Sequence, residues 1–71
     1  MANEILKNKL RVYRAQMNWT QEDLAKRVGV TRKTINTIEN EVFVPSALLA
    51  LKIAKEFNEP FENVFHIEIE D

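Results

Sequence analysis

No cysteine occurs among the 71 residues. A disulfide framework and a thiolate metal site are both excluded, so stability has to come from packing, helped by association of copies. A reducing compartment suits such a chain. One glycine, two prolines and no internal repeat leave no material for a flexible linker, and the expectation is a single domain over 1–71 made of short helices. The longest apolar stretch, Ala47 to Leu51, falls far short of the roughly 20 residues a membrane-spanning helix needs, and the N-terminus has no apolar leader core. A soluble, cytoplasmic protein is expected. Net charge is also nearly absent, at −1, which taken alone argues against nucleic acid, because phosphate neutralisation needs clustered lysine and arginine.

What is present is a charge gradient. Residues 1–40 set eight basic side chains against four acidic ones, and residues 41–71 set two against seven. That polarity suits a molecule with one face toward an anionic partner and the other toward solvent or a second subunit.

Hydrophobic spacing and punctuation predict five helices. Leu6, Leu10, Tyr13 and Met17 recur at spacings of four, three and four, giving a first helix over about Glu4 to Met17. Thr20, with Asp23 three residues on, opens a second over Gln21 to Val28. Gly29 supplies the left-handed residue that ends it, and Thr31 caps a third over Arg32 to Glu39. Ser46 caps a fourth over Ala47 to Phe57, whose apolar residues cover more than one face and ask for a second surface. After Pro60 comes a short fifth helix with Phe61, Val64 and Phe65. Phe65, Ile67 and Ile69 then alternate with His66, Glu68 and Glu70, the period of a half-buried strand over about 65–70. A lone strand leaves its ladder unpaired, so this one is frayed, pairs with the N-terminal residues, or pairs with another chain.

The informative segment runs from Thr20 to Asn40, a helix-turn-helix. Leu24, Val28, Val30, Ile35 and Ile38 are apolar where its two helices face each other and the core, Ala25 is small at the crossing, and Gly29 makes the turn. This arrangement projects Thr31, Arg32, Lys33, Thr34, Asn36 and Thr37 as a short, basic ridge able to enter a major groove roughly 12 Å wide.

Those residues, with Leu10-Arg11 and Arg14, Thr20-Gln21, Leu24-Ala25, Val28-Gly29-Val30-Thr31, Ile35, Ile38-Glu39-Asn40, Pro45-Ser46 and Asn58 to Phe65, resemble the phage Cro and repressor family of helix-turn-helix regulators, also called the xenobiotic-response-element (XRE) family. The chain looks most similar to short stand-alone members such as the cytolysin regulator, which act as dimers without an effector domain. The resemblance implies an all-α, five-helix, lambda-repressor-like domain with a short C-terminal strand. It also implies a repressor that binds double-stranded DNA sequence-specifically as a homodimer on an operator of two half-sites. Thr31, Arg32, Lys33, Asn36 and Thr37 would then lie nearest the bases. Arg32 is the first choice for guanine O6 and N7, a contact worth about 1–3 kcal/mol of discrimination. Gln21, Thr34 and the backbone N–H of Asn40 would meet phosphate, with Gln21 also buttressing the recognition helix. Arg14 and Glu39 would form a partly buried ion pair. Copies would pair through the fourth helix and the C-terminal segment, at Leu48, Leu49, Phe65, Ile67 and Ile69.

The chain departs from the family at Glu41-Val-Phe-Val44, where a glycine and a basic residue are common. The change removes phosphate contacts and puts Val42 and Phe43 in a loop, which implies either a modest DNA affinity or a place for those side chains in the dimer interface. Trp19 replaces a smaller aliphatic residue and is expected in the core. His66 is the only histidine and has no second nitrogen or sulfur ligand to share a metal with. Glu68, Glu70 and Asp71 read as a solvated acidic tail, since no nucleophile motif or glycine-rich phosphate loop accompanies them. Neither an enzyme nor a cofactor is expected. The rival reading is a protein-interaction module on the same fold, such as an antitoxin or docking domain.

Overall fold

The computed structural model describes residues 3–70; Asp71, the last residue of the acidic tail, lies outside them. The order is β1 (Asn3–Asn8), α1 (Leu10–Met17), α2 (Gln21–Val28), α3 (Arg32–Glu39), α4 (Ala47–Glu56), α5 (Phe61–Val64) and β2 (Phe65–Glu70).

The caps explain the boundaries. Thr20 accepts from the Asp23 N–H at 3.0 Å, and the Asp23 carboxylate accepts in return from the Thr20 N–H at 2.9 Å. Thr31 and Ser46 accept from the third residue of α3 and of α4 at 3.3 and 3.1 Å. Each cap satisfies a donor that the helix cannot. Four helices end alike. Asn18, Gly29, Glu41 and Asn58 take left-handed φ values of 58, 78, 63 and 56°. The following N–H groups of Trp19, Val30, Val42 and Glu59 reach back to the carbonyls of Arg14, Ala25, Thr37 and Ala54 at 2.9–3.1 Å. That is the Schellman closure.

Leu10, Leu24, Ile35, Ile38, Ile53 and Val64 are fully buried where the five helices meet. Phe57 anchors an aromatic wall, stacking on Tyr13 at 5.4 Å and on Trp19 at 5.8 Å. Trp19 is only half-buried, because its outer face is covered by the Arg27 guanidinium at 4.0 Å rather than by the core; the stacking of a cation on an indole suits that position.

Four expectations change. Residues 3–8 form a strand and not the first turns of a helix, pairing antiparallel with β2 from Asn3 opposite Glu70 to Asn8 opposite Phe65. The ladder hydrogen bonds of β2 needed a partner, and the N-terminal residues supply it. Asn8 makes the switch: its Oδ1 accepts from the Leu10 N–H at 3.2 Å and its Nδ2 donates to the Ile38 carbonyl at 2.9 Å, ending the strand and starting α1. The fold is therefore mainly helical with a two-stranded sheet, so the expected five helices are present and all-α describes it only approximately. Phe65, expected in a dimer surface, is buried against the core and stacks on Phe61 at 5.3 Å. Ile67 and Ile69 share its face of the strand but project past the core edge, with about two-thirds of their surface exposed. Leu49, also assigned to that surface, is half-buried against the core.

Candidate nucleic-acid interface

Between α2 and α3 the chain needs to turn within three residues, and Gly29 allows it through its positive φ. A β-carbon placed there would meet nothing nearer than the Lys52 Nζ at 3.9 Å, so the requirement is conformational and not steric. Leu24, Ala25 and Val28 of α2 and Ile35 and Ile38 of α3 are buried together. Burying that face leaves the opposite side of α3 outward. Thr31, Arg32 and Lys33 are exposed there, and Thr34, Asn36 and Thr37 are half-buried beside them.

The end of α3 is clamped from behind by one carboxylate. Glu39 has a side chain with no exposed surface. Arg14 donates Nε to its Oε2 at 2.6 Å and Nη2 to its Oε1 at 3.0 Å, while Arg11 and Gln21 donate to Oε1 at 3.2 and 3.0 Å. Burial pushes the Glu39 carboxyl toward protonation, but the hydrogen bonds from Arg14 and Gln21 and the Arg14 charge outweigh it and hold the carboxyl below its ordinary value. The Arg14–Glu39 ion pair that the family resemblance implied is present. Arg14 also donates to the Trp19 carbonyl at 3.0 Å, tying the end of α1 to the start of α2. Arg11 went unnoticed as a partner; its Nη2 reaches the Asn40 Oδ1 at 2.6 Å. A basic pair at positions i and i+3 of one helix was the signal available.

From this hub the order spreads to the ridge. Both Gln21 side-chain contacts made by Nε2 point inward, to Glu39 and to the Asn36 Oδ1 at 3.1 Å, and its Oε1 accepts from Arg32 at 3.2 Å. The buttressing role expected of Gln21 thus matches its bonds, with Arg32 held along α2. Asn36 Oδ1 also accepts from the Asn40 Nδ2 at 3.3 Å. With that oxygen taken twice, Asn36 presents an amide donor. The Thr37 hydroxyl is committed as well, donating to the Thr34 carbonyl at 2.8 Å, while the Thr31 and Thr34 hydroxyls share one hydrogen bond at 3.1 Å in which either can donate. One expectation fails here. The Asn40 backbone N–H, assigned to phosphate, is bonded to the Asn36 carbonyl at 3.0 Å, because Asn40 still closes the α3 ladder.

Electrostatics favour the same surface. The first turn of α2 carries Glu22 and Asp23, as the helix dipole prefers, whereas α3 has no acid in its first turn and places Arg32 and Lys33 there. Two cations at a positive helix end cost stability and attract anions. Beyond α3, Glu41 occupies the left-handed position where glycine is usual, and its carboxylate binds the Lys7 amine at 3.1 Å. That bond holds the Lys7 amine above its ordinary range.

Residues 10–63 match the model of a helix-turn-helix family. The chain is 54% identical over 63 residues to an uncharacterized HTH-type transcriptional regulator of Methanocaldococcus jannaschii, covering 89% of this chain and 96% of that one. It is 48% identical over 66 residues to the uncharacterized HTH-type transcriptional regulator YgzD of Bacillus subtilis, covering 93% and 100%. The fold is shared with the crystal structure of a candidate DNA-binding protein from Bacteroides fragilis, at a TM-score of 0.77, 22% identity and coverage of 87% and 100%. With the α2–turn–α3 geometry and these relatives together, the chain belongs to the XRE family of helix-turn-helix DNA-binding regulators.

Proposed function

We propose that the protein is a sequence-specific repressor that binds an operator of two half-sites as a homodimer, each copy laying α3 in a major groove. The observation that carries this reading is the exposed Thr31-Arg32-Lys33 edge, pinned from behind through Gln21, Asn36 and Glu39. Arg32 reads guanine, Lys33 and the Asn36 amide donate to purine acceptors, and Thr31 and Thr37 lie against neighbouring base edges. Phosphate is met by the backbone N–H groups at the start of α2, including that of Gln21, and by Thr34 and the Asn40 amide at the rim of α3. Pairing of copies draws on the apolar residues left outward, Leu48 and Leu51 on α4 and Ile67 and Ile69 on the ribbon. Leu49 adds its exposed part.

Selection from a random DNA pool by the purified protein tests the reading. A common motif with two half-sites about 34 Å apart is expected, with affinity falling steeply as salt rises. Arg32→Ala should relax preference at one base pair and cost about 1–3 kcal/mol. Gln21→Ala should weaken binding across sequences, since it releases Arg32 and Asn36 together. A pool that yields no motif refutes the proposal.

The exposed Val42-Phe43-Val44 loop favours a second reading, an interaction module that holds another protein. Binding through an apolar surface responds little to salt, so the same titration separates the two.

A further inference from the structure

Immediately after α3, Val42, Phe43 and Val44 expose 78, 48 and 66% of their surface. Three consecutive apolar side chains left in water are unexpected next to a surface built of threonine, arginine and lysine. Val42 and Phe43 do not stand alone. They form one wall of a cleft whose other wall is Lys33, Thr34 and Thr37. The loop is held in that position by two hydrogen bonds, from the Val42 and Phe43 N–H groups to the Thr37 carbonyl at 2.9 and 3.2 Å. The threonines contribute little polarity to the cleft, because the hydroxyl of Thr37 donates to the Thr34 carbonyl and that of Thr34 lies against the Thr31 hydroxyl at 3.1 Å. The cleft is thus lined by methyl groups and a phenyl ring, with one ammonium at its edge.

We propose that this cleft takes the C5-methyl group of a thymine, making Phe43 and Val42 specificity-determining residues in addition to those on α3. The inference rests on the DNA-reading role of α3. Since Lys33 and Thr37 belong to the ridge that faces base edges, a cleft they wall opens onto the floor of the major groove, where the apolar group a base pair displays is the thymine methyl. Lys33 is placed to donate to a purine acceptor next to that thymine. The substitution of Glu41-Val-Phe-Val for the glycine and basic residue common at this point then exchanges phosphate contacts for readout of one base.

The test uses the duplex selected from a random pool, with each thymine replaced singly by deoxyuridine, which differs by the methyl alone. Wild-type protein should lose about fourfold in affinity at one thymine per half-site, the ~0.8 kcal/mol of a buried methyl-sized group converted at ~1.4 kcal/mol per tenfold. Phe43→Ala should bind the thymine and uracil duplexes equally, while Val42→Thr, which keeps the shape, should show a reduced difference. Uracil tolerated at every position by the wild type overturns the proposal and leaves the DNA-binding reading intact, as does equal sensitivity in Phe43→Ala. The loop then faces a protein partner instead. Failure to select any duplex sinks the underlying reading, a separate and distinguishable outcome.

Discussion

At the scale of single residues, Glu39 and Gly29 do different kinds of work. Glu39 is a buried carboxylate whose charge is balanced by Arg14 and Arg11. Removing it leaves the mostly buried Arg14 guanidinium without a counter-charge, so Glu39→Ala should cost about 3 kcal/mol in urea denaturation. Because the folded carboxyl is held below its unfolded value, its contribution is present above about pH 4.5 and is lost as pH falls through the folded value. Denaturation midpoints measured from neutral to acid pH should therefore fall less steeply in Glu39→Ala than in the wild type. Gly29 is needed for its φ of 78° and not for space, since an added Cβ would meet only the Lys52 Nζ at an ordinary contact distance of 3.9 Å. Gly29→Ala should cost about 1 kcal/mol, and Gly29→Asn less, because asparagine tolerates the left-handed region. A larger loss in Gly29→Ala would mean that helix crossing, not backbone angle, sets the requirement.

At the scale of elements, α2 and α3 have the same length and opposite electrostatics. The acids of α2 complete its dipole and capping box, whereas Arg32 and Lys33 oppose the dipole of α3. A helix kept against its own electrostatics is the pattern expected where charge serves an external anion. Lys33→Glu should accordingly raise the thermal midpoint of the free protein while abolishing binding to the selected duplex. A variant that lost stability, or that kept its DNA affinity, would contradict the assignment of α3. The β1–β2 ribbon behaves differently. Phe65 is buried in the core and Leu6 packs against it, whereas Ile67, directly opposite Leu6, and Ile69 are left exposed, so the ribbon is part interior and part free surface.

At the scale of the whole molecule, that free surface and the outward Leu48 and Leu51 bear on association. A chain of this size gains much from covering them. Mass in solution should correspond to two copies, and Ile67→Glu with Ile69→Glu should give a folded monomer. DNA binding by that monomer should weaken sharply, because one half-site lacks the effective concentration its partner supplies. A double variant that stays dimeric would move the interface to α4.

The chain order of apolar residues and caps was enough to place α2, the turn and α3 at their observed limits, since Thr20, Gly29 and Thr31 act on neighbours only a few residues away. The same locality, given the helical period, made the outward ridge readable, whereas the Arg14–Glu39 pair joins residues 25 apart and was implied only by the family resemblance. The tertiary structure decided what depends on distant partners. Residues 3–8 are a strand because β2 lies beside them, and no property of those six residues alone distinguishes that from a first helical turn. Phe65 is core and Ile67 is surface although their spacing is identical, because burial depends on where the helical body stops. The orientation of the Asn36 amide, whose oxygen accepts from Gln21 of α2, follows from a contact between elements that no spacing in the sequence encodes.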